Sequence, residues 1–79
     1  MRMVIHYKSK KEIPIHDEAL AGKVGWSNEP LNKMWIDAEV VTTEGTGILL
    51  NVEQYGTMTV EKKDISRINN ESGNPIWEE

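Results

Sequence analysis

Met34-Trp35-Ile36-Asp37-Ala38-Glu39-Val40-Val41-Thr42 alternates with a period of two. Ile36, Ala38 and Val40 share one face, and Trp35, Asp37 and Glu39 share the other. A strand with one face on a core and one in water has this pattern, because successive side chains point to opposite sides of the sheet. The residues that follow, Glu44-Gly45-Thr46-Gly47, hold two glycines in four positions and suit a tight turn needing positive φ.

The alternation then resumes. In Gly47-Ile-Leu-Leu-Asn-Val-Glu-Gln54 the inward set is Ile48, Leu50 and Val52, with Leu49, Asn51 and Glu53 outward. Gln54-Tyr55-Gly56-Thr57 reads as a second turn. Beyond it, Met58 and Val60 point inward while Thr57, Thr59 and Glu61 point outward. Three antiparallel strands in a meander are therefore expected. Lys63-Asp64 offers a turn or a single 3₁₀ turn, followed by a short strand carrying Ile65 and Ile68.

Ahead of this meander, Met3-Val-Ile-His-Tyr7 is β-branched and aromatic and is expected as a strand with Met3, Ile5 and Tyr7 inward, the choice that buries more apolar surface. Glu12-Ile-Pro-Ile15 suits only an edge or an irregular connection, because Pro14 lacks an amide hydrogen. Asp17 to Gly22 reads as one helical turn, with Asp17 as N-cap and Gly22 as its stop. Gly25 to Lys33 has no periodicity and is expected as a loop. Residues 69–79 have turn and linker composition and are expected as a flexible tail after a single domain of residues 1–68, unless Ile76 and Trp77 fold back.

A chain of 79 residues builds one core. It has no cysteine, which removes disulfides and thiolate zinc sites and fits a reducing, cytoplasmic setting. No stretch approaches the roughly 20 apolar residues of a membrane helix. Net charge is −4 and unevenly spread: residues 1–33 hold six Lys/Arg against four Asp/Glu, and residues 34–79 hold three against nine. An acidic chain argues against general phosphate-backbone binding, although Arg2, Lys8, Lys10 and Lys11 offer a small basic patch.

Trp35-Ile-Asp-Ala-Glu-Val40, Gly47-Ile-Leu-Leu-Asn-Val52, Thr57-Met-Thr-Val60 and Asp64-Ile-Ser-Arg-Ile68 together cover about half the chain. Their spacing resembles the small SH3-like barrels, among them the Tudor, Sm-like and KOW-type domains. The glycine-asparagine signature of the Sm-like group and the basic glycine-centred pattern of KOW are missing. The resemblance implies a mainly β fold, a small antiparallel barrel of about five strands, with the helical turn near residues 17–22 as decoration. It also implies a binder whose loops and exposed strand edge form the site.

Candidate contact residues follow from the aromatics, three Trp and two Tyr with no Phe. Trp26 stands in a polar stretch and either plugs the barrel or meets a ligand. Trp35 lies on the wet face and, with Leu49 on the next strand, suggests an apolar patch for a partner or a second copy. Trp26, Trp35 and Tyr55 with Asp37 contain the residue types of a cation-binding cage. Trp77 and Ile76 either anchor the tail or form a docking motif. His6, His16, Asp17 and Glu18 are the nearest approach to a metal or acid-base cluster, but the spacing reads more simply as loop and surface residues, and no metal is expected. Serines 9, 27, 66 and 72 have no nucleophile elbow, no phosphate-cradling glycine loop occurs, and Glu53, Glu61 and Asp64 read as a solvated face.

These observations point to a non-catalytic protein-interaction module or small accessory or inhibitory protein, without cofactor. Its contacts would be Trp26, Trp35, Leu49 and Tyr55, its partner an unidentified protein or a second copy. The alternatives are a nucleic-acid binder using Arg2, Lys8, Lys10 and Lys11, and a small-molecule or nucleotide binder stacking its ligand on Trp26. Nucleic acid is the less favoured partner, and no membrane role is expected.

Overall fold

The computed structural model describes residues 1–9, 22, 24–26 and 32–79. Among the described residues seven strands follow in chain order: β1 (Arg2–Tyr7), β2 (Val24–Trp26), β3 (Lys33–Thr42), β4 (Gly47–Val52), β5 (Gly56–Glu61), β6 (Ile65–Asn70) and β7 (Pro75–Glu78). A 3₁₀ turn, Lys62–Asp64, joins β5 to β6. The order across the sheet is β5-β4-β3-β1-β6-β7, with β2 beside β3. All pairings are antiparallel. The sheet curls into a half-barrel compatible with a small β barrel.

The ten-residue strand β3 organises this curl, because it is long enough to serve different neighbours along its length. Its first half pairs with β1 along one edge, Arg2 opposite Asp37 through His6 opposite Lys33. At the middle, Ala38 N–H donates to Met1 O, whereas Asp37 O accepts from Glu53 N–H. Successive residues of a strand bond to opposite edges, so β4 runs along the edge opposite β1, and β2 shares that edge with it. Past Val40 the register with β4 shifts, and Val41 is left exposed. A bulge of this kind adds local bend and twist, which is what curling requires.

The expected inward residues form the core. Met3, Ile5, Ile36, Ala38, Ile48, Leu50, Val52, Val60, Ile65 and Ile68 are buried, with Val24 and Met34 beside them and Tyr7, Val40 and Met58 packed on the margin. The meander, the 3₁₀ turn and the strand after it stand where the spacing places them.

Two segments differ from the sequence reading. Residues 25–33 are not all loop: Val24, Gly25 and Trp26 pair with Ile36, Trp35 and Met34. Glycine there marks a close approach within a strand, not a turn. Residues 69–79 are no tail, since Ile76 and Trp77 do fold back. β7 pairs along β6, placing Trp77 opposite Ile68 and Glu78 opposite Arg67, and both Ile76 and Trp77 pack against the core. Asn70 organises the hairpin between them. Its Oδ1 accepts from the N–H groups of Ser72 and Asn74, both at 3.0 Å, and Gly73 supplies a positive φ of 85°. The expected strand at Glu12–Ile15 and helical turn at 17–22 lie outside the described residues, apart from Gly22.

Candidate interaction site

The convex face of the sheet carries the residues that alternation directs outward. Val4 lies between Trp35 and Asn69, and His6 between Lys33 and Arg67. Trp35 is half-buried by three neighbours. Its indole lies over Gly25, so close that a Cβ on that glycine would stand 2.2 Å from Trp35 Nε1. Val4 flanks it on the next strand. Over the ring sits the Arg2 guanidinium, its carbon 4.0 Å from the ring centroid. Arg2 is itself held by a two-pronged pair with Asp37, Nε to Oδ1 at 2.9 Å and Nη2 to Oδ2 at 3.3 Å. A fork of this kind fixes a guanidinium far better than a single contact does.

Trp35 and Leu49 do not form a patch. Leu49 lies opposite Thr42 and Thr59, and Thr42 is seven residues along β3 from Trp35, a separation of about 23 Å at the usual strand rise. Tyr55 sits in the β4–β5 turn, where its N–H donates to Val52 O at 3.0 Å, with its side chain exposed. Trp26 pairs opposite Met34, and its side chain, on which the plug and cage readings turn, lies outside the described part of the structure. Among the described residues the exposed large apolar side chains are Met1, Val41 and Tyr55.

The basic candidates also separate. Arg2 and Lys8 stand at opposite ends of β1, about 20 Å apart at the usual rise, and each meets a carboxylate: Arg2 pairs with Asp37 and Lys8 with Glu79. Lys10 and Lys11 lie outside the described residues, as do His16, Asp17 and Glu18. Among the described residues no three His, Asp or Glu side chains are grouped as metal ligands, and no helix is long and apolar enough to cross a membrane.

His6 is pushed below the ordinary histidine pKa by desolvation first, then by the cations of Lys33 and Arg67 on either side. Its Nε2 lies 3.4 Å from Asn69 Nδ2. Asn69 Oδ1 and Arg67 Nε are buried without hydrogen-bond partners. Tyr7 is raised, chiefly by burial and secondarily by Asp64.

A feature that sequence reasoning passed over lies at the end of the sheet. Among the described residues β5 is an outermost strand, in register with β4 over all six residues, Gly56 opposite Val52 through Glu61 opposite Gly47. Lys62 N–H donates to Thr46 O at 3.0 Å. In an antiparallel ladder, bonded pairs recur every second residue. Ile48/Val60 and Leu50/Met58 therefore carry the ladder, and the N–H and C=O groups of Thr57, Thr59 and Glu61 point off the sheet. These three residues are exposed. The opposite end, β7, is blunted by its four-residue length, by Pro75, by Glu78 and by a register shift. β5 has no proline, no bulge against β4 and one charged residue, at its last position. The sequence signal for this edge was the polar alternation Thr57, Thr59, Glu61, but strand order cannot be read from alternation.

No family model, no curated protein and no solved structure matches the chain.

Proposed function

We propose that this chain is a non-catalytic binding module that takes up an extended segment of protein by strand addition on the outer edge of β5. One observation carries the reading: among the described residues, a regular six-residue edge whose outward backbone donors and acceptors, at Thr57, Thr59 and Glu61, are guarded by neither proline nor a bulge and by one charge, at the strand's last position. Main-chain hydrogen bonds supply affinity in this mode, and alternate side chains supply selectivity. The resemblance to small barrels that bind through loops and an exposed strand edge agrees with it. The alternative of a nucleic-acid site has less support, because Arg2 and Lys8 are engaged by carboxylates and stand far apart. A cytoplasmic setting accompanies this reading, supported by the cysteine-free sequence.

The test is selection of peptides from a displayed random library on the full chain, followed by binding measurements on Thr59→Pro and Thr59→Ser. The Thr59 N–H points away from β4, so proline there removes an outward donor without breaking the β4–β5 ladder. Peptides bound by the wild type and by Thr59→Ser, and at least tenfold more weakly by Thr59→Pro, support strand addition. Binders that ignore Thr59→Pro, or a library that yields none, reject it.

A further inference from the structure

We infer that the occupant of the β5 edge is a second copy of this chain, paired antiparallel across a two-fold axis beside Thr59. This rests on the strand-addition reading and names its partner. Two identical strands related by an axis perpendicular to the sheet keep their faces, so directly opposed residues must belong to the same face. That condition permits only registers in which one residue opposes its own counterpart. Within β5 the central choices are Met58 and Thr59.

The Thr59 register uses the whole strand. Thr59 faces Thr59 of the second copy, Thr57 faces Glu61, and Met58 faces Val60. All the outward backbone groups, at Thr57, Thr59 and Glu61, then fall in bonded pairs, giving about six hydrogen bonds. Centring on Met58 would instead put Glu61 opposite Tyr55, which belongs to the turn, and would leave only about four bonds within the strands.

Side chains agree with the Thr59 register. Opposed threonines are a favourable cross-strand pair, and Glu61 meets a neutral Thr57 in place of another acid. On the concave face Met58 is half-buried at the margin of the core, and Val60 is buried beside it. Pairing extends that apolar strip across the axis, covering what remains exposed of Met58.

Charge agrees with this direction. The turn before β5 holds Glu53, which is exposed, and the 3₁₀ turn after it holds Lys62, Lys63 and Asp64, two cations against one acid. In the antiparallel arrangement the lysines of one copy approach the Glu53 turn of the other, at both ends of the pair. A parallel arrangement would bring the two Glu53 turns together, and likewise the two Lys62–Asp64 turns with their excess of cations.

The oligomeric state of the full chain tests this, by sedimentation and light scattering over a concentration series, with circular dichroism to check strand content. Wild type is expected to form a dimer, and Thr59→Pro to be monomeric at concentrations where wild type is dimeric. Thr59→Lys and Thr59→Glu put like charges across the axis, so each alone is expected to be monomeric, and an equimolar mixture is expected to form a heterodimer. This exchange keeps the test decisive should the proline variant fail to fold. A wild type that stays monomeric, or a mixture that stays monomeric while wild type dimerises, overturns the inference. Monomeric wild type that captures library peptides in a Thr59→Pro-sensitive way would sink self-pairing and leave strand addition standing. Loss of both would sink both.

Discussion

Gly25 has no side chain, and Trp35 occupies the space where one would stand. Substituting Gly25→Ala places a methyl 2.2 Å from Nε1, 2.5 Å from Cε2 and 2.8 Å from Cζ2 of the indole, so the ring must leave its seat between Val4 and Arg2. The expected cost is about 2–3 kcal/mol, in the range of overpacking, read from urea unfolding, with a change in near-ultraviolet circular dichroism from the displaced tryptophan. His6 presents a different case. Its pKa is lowered from 6.5 in the folded protein, so the unfolded chain binds the proton more readily. Stability is therefore full above about pH 6.5 and falls as pH drops from there toward the lowered folded value. Comparing wild type with His6→Gln between pH 7.5 and 5 checks this: the variant is expected to lose less stability over that interval. An equal slope for both would show that His6 contributes nothing to the acid limb. The flanking Lys33 and Arg67 were unreadable from sequence, since they lie 27 and 61 positions from His6 and become neighbours only through strand pairing.

β7 shows how an element can be invisible to composition. Residues 69–75, Asn-Asn-Glu-Ser-Gly-Asn-Pro, contain turn formers almost exclusively, and four residues of strand beyond them carry too few positions for a period to show. Yet the turn composition is what builds a hairpin here, with Asn70 Oδ1 gathering two N–H groups. Ile76 and Trp77 cover core residues from the side. Ending the chain at Asn74 removes both and bares the β6 edge. The expected loss is about 3 kcal/mol, taking each side chain as partly buried, a large share of what a domain this small has. Thermal and urea unfolding of the truncated chain would show it. A truncated chain as stable as the whole would mean that β7 only decorates the sheet. β3 is the opposite case: the alternation from Met34 to Val40 announces itself, and Ile36 and Ala38 are buried as the pattern directs. Its bulge at Val41 was less visible, because Val40-Val41 breaks the alternation without saying which valine is displaced.

For the molecule as a whole, the half-barrel has two ends of unequal character. One closes on a short strand with Pro75 and Glu78, and the other presents the regular β5. Where two copies pair through β5, folding and association are linked, and the melting temperature should rise with protein concentration by mass action. Thr59→Lys should abolish that dependence while leaving the melting temperature of the dilute protein close to that of dilute wild type. Calorimetry over a hundredfold concentration range measures both. A concentration-independent wild type would contradict the linkage.

Which residues face inward was legible along the chain, because alternation, turn glycines and β-branched content are properties of neighbours in sequence. On that ground Met3, Ile5, Ile36, Ile48, Leu50, Ile65 and Ile68 were assignable, and they are buried. Strand order, by contrast, is a property of pairs remote in sequence, and it emerged with the assembled sheet. It separated Trp35 from Leu49, set Arg2 over Trp35, drew residues 75–78 into the sheet and left β5 at its end. Hydrogen bonds between strands are the same whichever strands are joined, so the local code that makes a strand carries no record of its neighbour.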